Sequence, residues 1–96
     1  MAMTDNPASR ELGYCPCCGY RTLPEGPPGS QEVCPVCHWV DDASQFRDPE
    51  AVTETNEVSL AQARENFVSF GACLESVVDQ TRGPGSDDRD PNWPYE

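Results

Sequence analysis

The chain has no lysine and a single histidine, and its six arginines face seventeen aspartates and glutamates, for a formal net charge of −11. Such a field repels phosphate backbones and draws in basic surfaces, which disfavours nucleic acid as a partner and favours protein. Long apolar runs are also missing. The first twelve residues are polar with Pro7 among them, which predicts neither a signal peptide nor a membrane-spanning helix. The expected address is the cytoplasm, where thiols stay reduced, so the six cysteines are read as metal ligands and free thiols rather than disulfides. The third shortage is of core-forming side chains. A hydrophobic fraction of 36% in 96 residues is too little for an extensive interior without a staple.

The staple is visible in two knuckles of one form, Cys15-Pro16-Cys17-Cys18-Gly19 and Cys34-Pro35-Val36-Cys37-His38, with fifteen residues between Cys18 and Cys34. Paired CxxC segments at this interval predict a four-thiolate metal site of Cys15, Cys18, Cys34 and Cys37. Two residues between cysteines let a tight turn aim both sulfurs of a pair at one point, as a tetrahedral ion such as Zn2+ requires. Proline after the first cysteine fixes φ, and Gly19 can take the positive φ that points amides at sulfur. Four sulfurs leave no open coordination position, so the expected ion is structural. Four thiolates and a divalent cation leave −2, which takes the net charge from −11 to −13.

Around these knuckles the pattern predicts a small metal-stabilised α+β fold: a zinc-ribbon β-hairpin plus one C-terminal amphipathic helix. Residues 1–12 are expected to be a flexible arm, and 13–82 one domain, with the ribbon over 13–48 and a connection over 49–58. Pro24 to Ser30 is dense in breakers and reads as the loop between the ribbon strands. One helical turn is expected after Trp39 and Val40. Ser59 and Gln62 form a capping box, and Leu60, Ala63, Phe67, Phe70, Leu74, Val77 and Val78 make one apolar stripe, so the helix is placed over 59–82 with Gly71 inside it. The acidic, proline-rich tail over 83–96 carries Trp93 and Tyr95, which are expected to dock on the chain's own core or on a partner.

Other residues invite functional readings that weigh less than structural ones. Cys17 reads as a variable knuckle residue, Cys73 as a small buried hydrophobe beside the apolar stripe. Cys34 to His38 satisfies the CxxCH pattern of covalent haem, but no export signal is predicted and that reading leaves the first CxxC unexplained. His38 reads as a flanking residue in the place Gly19 holds, an alternative ligand otherwise. Asp41 and Asp42 cap, pair with arginine or face water, and Arg64 on the helix could reach them. Arg64, Asn56 and Asn66 read as hydrogen-bonded connectors.

The string from Cys15 to Leu23, then Cys34 to Cys37, then Trp39 with Asp41-Asp42, resembles the bacterial cysteine-rich CPCC family. Arg47-Asp48-Pro49, Asn56, Val58-Ser59-Leu60, Ala63 to Phe67 and Phe70 to Cys73 continue that likeness. The resemblance implies a small metal-binding bacterial domain without an established activity. The knuckles also resemble those of rubredoxins, which would imply iron and electron transfer. The expectation is thus a non-enzymatic, cytoplasmic zinc-binding module for a protein partner, one concrete form being an acidic inhibitor or immunity protein for a basic target. A rubredoxin-like iron electron carrier is the alternative.

Overall fold

The computed structural model describes residues 13–94. Each knuckle is a short turn closed by its own flanks. Cys15 N–H donates to the Tyr20 carbonyl at 2.8 Å and Gly19 N–H to the Cys15 carbonyl at 2.8 Å. In the second knuckle Cys34 donates to Trp39 at 2.9 Å and His38 to Cys34 at 2.7 Å, the same two bonds at the same positions. Isolated antiparallel bridges join Tyr14 to Arg21 and Val33 to Val40 across the two turns, and a third joins Tyr20 to Arg89. The expected ribbon hairpin is not shown as paired strands: among the described residues extended chain occurs only as these bridges. The chain leaving each knuckle pairs with the chain entering it, and the breaker-rich loop follows at once, so neither arm is long enough for a ladder.

The loop over 24–30 is fastened by Asp41. Its buried carboxylate accepts from the amides of Gly29 at 2.9 Å and Ser30 at 2.8 Å, and from the Ser30 hydroxyl at 2.7 Å. Asp42 takes a different task, capping helix α1 (Ala43–Arg47) by accepting from Ser44 N–H at 2.8 Å. This is the single helical turn the sequence predicts after Trp39. Helix α2 (Leu60–Phe70) starts where expected, with the Ser59 hydroxyl accepting from Gln62 N–H at 3.0 Å. Gln62 spends its own side chain on Asn66, so half of the box is made.

The helix does not run to residue 82. It stops at Gly71, whose φ of 82° places it in the left-handed region and whose amide donates to the Phe67 carbonyl. Glycine adopts that conformation without a Cβ penalty, and here it terminates the helix rather than merely weakening it. Ala72 and Cys73 then turn into the core, and the apolar spacing continues through a 3-10 helix (Glu75–Gln80). Leu74 and Val77 pack from that turn against Trp39, Leu23, Val36, Leu60 and Ala63, while Phe70 is left exposed. Full burial of a side chain such as Leu60 is worth about 1.5–3 kcal/mol.

Two buried amides organise the side of the core nearest the second knuckle. Gln45 accepts from Trp39 Nε1 at 3.1 Å and from Asn56 Nδ2 at 3.0 Å, and donates to the carbonyls of Ala51 and Val58. Asn56 pairs with both backbone groups of Val40 at 2.8 Å, completing with a side chain what a neighbouring strand would supply. Among the described residues no buried side-chain polar atom lacks a partner. No helix among them is long and apolar enough to cross a membrane.

Residues 87–93 fold back over the first knuckle. Arg21 N–H donates to the Asp88 carbonyl at 2.9 Å and Asp90 N–H to the Gly19 carbonyl at 2.8 Å. The tail is therefore a lace over the surface, and Trp93 lies half-buried against Gly19 of the first knuckle. Tyr95 and the arm over 1–12 lie outside the described residues.

Candidate metal centre

The two knuckles bring the sulfurs of Cys15, Cys18, Cys34 and Cys37 within 4.8 Å of one another, all four fully buried. Cys15 Sγ lies 3.8 Å from Cys37 Sγ, and Cys18 Sγ 3.7 Å from Cys34 Sγ. A tetrahedron with metal–sulfur bonds of about 2.3 Å has edges of about 3.8 Å, so these two contacts are the opposite edges of such a cage. Each edge spans the knuckles, joining one cysteine of the first to one of the second. A disulfide would need about 2.05 Å, and all six cysteines are unpaired. Soft donors, burial and edge length together fit a thiophilic divalent ion.

Backbone and side chains support the sulfurs. Cys17 N–H donates to Cys15 Sγ at 3.4 Å. The Thr22 hydroxyl lies 2.9 Å from Cys34 Sγ and serves as the donor when that sulfur is a thiolate. Burial, joined by the sulfurs of Cys18 and Cys34, pushes the Cys15 thiol well up, and burial also dominates at Cys37. At Cys18 the Cys15 sulfur favours the thiolate, but Cys34, Cys37 and burial outweigh it and the thiol is pushed up. Cys34 is held far down by Cys15, Cys18 and Cys37, with Thr22 adding to them. The four sulfurs therefore share their protons as one group, and loading the cage means expelling protons from it.

The remaining candidates fall into place around this cage. His38 does not join the sulfurs; it occupies the knuckle position of Gly19, with φ of 72° against 83°. Cys17 and Cys73 are 1% and 2% exposed and sit in the core cluster beside the cage, Cys73 as the sequence predicts. Burial pushes the Cys73 thiol up to about 12, which keeps it neutral. Asp41 and Asp42 cap loop and helix as described, and form no group with the sulfurs. Arg64, read from the sequence as a hydrogen-bonded connector, donates from its Nε to the Pro16 carbonyl at 2.8 Å, at the first knuckle.

Sequence reasoning did not foresee how the knuckles are held from outside. The Pro16 and Cys18 carbonyls accept from the side chains of Arg64 and Arg89, the latter at 3.2 Å. The equivalent carbonyls of the second knuckle, Pro35 and Cys37, accept from the backbone amides of Arg82 at 3.1 Å and Cys73 at 2.8 Å. Trp93 covers Gly19 so closely that a Cβ there would meet the indole at 2.5 Å. The signal available in the sequence was the pairing of Arg89 with Trp93 in a tail otherwise poor in apolar side chains.

A cage of four buried sulfurs, closed by two matched turns and carried on a compact framework, defines a small cysteine-rich domain suited to binding a metal ion. The chain belongs to the family described as Cysteine-rich CPCC, whose model matches residues 13–88. Comparison with curated proteins and with solved structures gave no match.

Proposed function

We propose that this chain is a non-enzymatic interaction module whose fold is held by one structural Zn2+ bound to Cys15, Cys18, Cys34 and Cys37. The observation that carries the reading is the sealed cage: four sulfurs at 0% exposure leave neither a coordination position nor a path for a substrate. When bound, the ion supplies charge neutralisation and cross-linking of two chain segments, in place of the apolar interior the composition withholds. The residues around it orient the thiolates through the amide of Cys17 and the hydroxyl of Thr22. Reduced, unpaired cysteines suit a cytoplasmic setting in a bacterium.

The partner is a protein with a basic face. Glu50, Glu54, Glu57, Glu65, Glu75 and Asp79 are exposed, and a loaded cage makes the chain more negative still. An inhibitor or immunity protein for a basic enzyme such as a nuclease is the concrete form of this proposal. Native mass spectrometry of the purified protein is expected to show one zinc per chain, and pull-down from the host a basic protein released by salt. A red protein carrying iron would support the electron-carrier alternative, and tight binding to DNA or RNA at physiological salt would overturn the charge argument.

A further inference from the structure

The first knuckle carries a stack of aromatic rings and guanidinium groups. The Arg89 guanidinium lies 4.8 Å from the centroid of the Tyr20 ring and 5.9 Å from that of Trp93, and Arg64 lies 6.0 Å from Trp93. Both guanidinium groups also bond the carbonyls of the knuckle itself, Arg64 at Pro16 and Arg89 at Cys18. In a chain with no lysine, two of six arginines are thus gathered against one side of the sulfur cage. A cage of four thiolates around a divalent ion carries −2, and these two cations match it. The second knuckle receives two backbone amides at the equivalent carbonyls.

We propose that Arg64 and Arg89, bracketing Trp93, are the counter-charge of the thiolate cage and the gate over its first knuckle. The proposal rests on the metal-binding reading above. Trp93 lies on Gly19 and Arg89 is bonded to the Cys18 carbonyl, so a competing ligand approaching the first knuckle from this side must wait for residues 88–93 to lift. Charge-assisted hydrogen bonds to the knuckle carbonyls and cation–π contacts hold that arm down. Arg89 lies just beyond the family match, which ends at residue 88. Arg64 and Arg89 are positioning residues: they act on the cage through the carbonyls and the arm, without touching sulfur.

The test uses full-length protein loaded with Co2+, whose thiolate absorption reports the cage, mixed with excess EDTA. Arg89→Gln and Arg64→Gln are each expected to shorten the lifetime of the absorption about tenfold. Trp93→Ala is expected to do the same, and Arg89→Lys, which keeps charge but loses the planar stack and the Nε donor, falls between. Raising ionic strength shortens the wild-type lifetime and leaves that of the double glutamine variant nearly unchanged. Lifetimes within twofold of wild type for Arg89→Gln and Arg89→Lys, in variants that still give the wild-type cobalt spectrum, overturn the clamp and leave the metal reading standing. Absence of any cobalt–thiolate absorption in the wild-type protein removes both.

Discussion

Gly19 and His38 stand at the same place in the two knuckles, with the same hydrogen bonds before and after them and nearly the same positive φ. What differs is what lies outside. Gly19 is pressed against an indole, so the position needs glycine for space as well as for backbone conformation. Around the second knuckle the pressure comes from beneath, where Trp39 is fully buried on Gln45 and Asn56 ties down Val40. An L-residue in the left-handed region costs about 1–2 kcal/mol, which His38 bears and Gly19 avoids. One turn type is thus stabilised in two ways: by a side-chain clamp arriving late in the chain, and by a buried amide network.

Removing what the knuckles share is expected to have the largest effect. Stripping the ion with a strong chelator, or Cys34→Ser, should abolish cooperative unfolding and amide dispersion in NMR spectra, since structural zinc contributes on the order of 10 kcal/mol. Acid should do the same. With Cys15, Cys18 and Cys37 pushed up in the empty cage, protons compete with the ion, so affinity rises with pH and is lost as pH falls. A pH titration of the cobalt absorption checks the sign, and affinity that stays flat from alkaline to acidic pH would contradict it.

Next come changes that should separate the knuckles. Gly19→Ala is expected to destabilise by about 3 kcal/mol, from the left-handed backbone and the clash with Trp93, with a shift in tryptophan emission as the arm lifts. Asn56→Ala should cost about 2 kcal/mol by leaving the half-buried Val40 amide and carbonyl without the side-chain partners they have now, and hydrogen exchange should quicken at Val40 while Cys15 stays protected. The smallest effect has the opposite sign. His38→Gly relieves the backbone and is expected to stabilise by about 0.5–1 kcal/mol in urea unfolding, the greater freedom of the unfolded chain offsetting part of the relief.

The cage was legible because its chemistry is local: CxxC spacing and prolines specify each turn, and two such turns require one centre. Ser59 announced the start of α2 for the same reason. The end of that helix was not legible, because a glycine at a position that keeps the apolar period satisfies a continuous helix and a left-handed cap followed by a 3-10 turn equally well. Only the bond from Cys73 N–H to the Cys37 carbonyl decides between them, and it joins residues 36 positions apart. The pairing of Arg64 with Pro16 rather than with Asp41 or Asp42 is likewise set by packing, since loop amides already satisfy Asp41 and the α1 terminus and Thr53 satisfy Asp42.

Trp93 lying on Gly19 fixes an order of events during synthesis. Cys18 leaves the ribosome 75 residues ahead of Trp93, which at ~5–20 residues per second is an interval of roughly 4–15 s. Throughout that interval the first pair of sulfurs has no roof, open to ion capture and to oxidants alike. The nascent chain is therefore at its most receptive before translation reaches the arm, and at its most retentive afterwards.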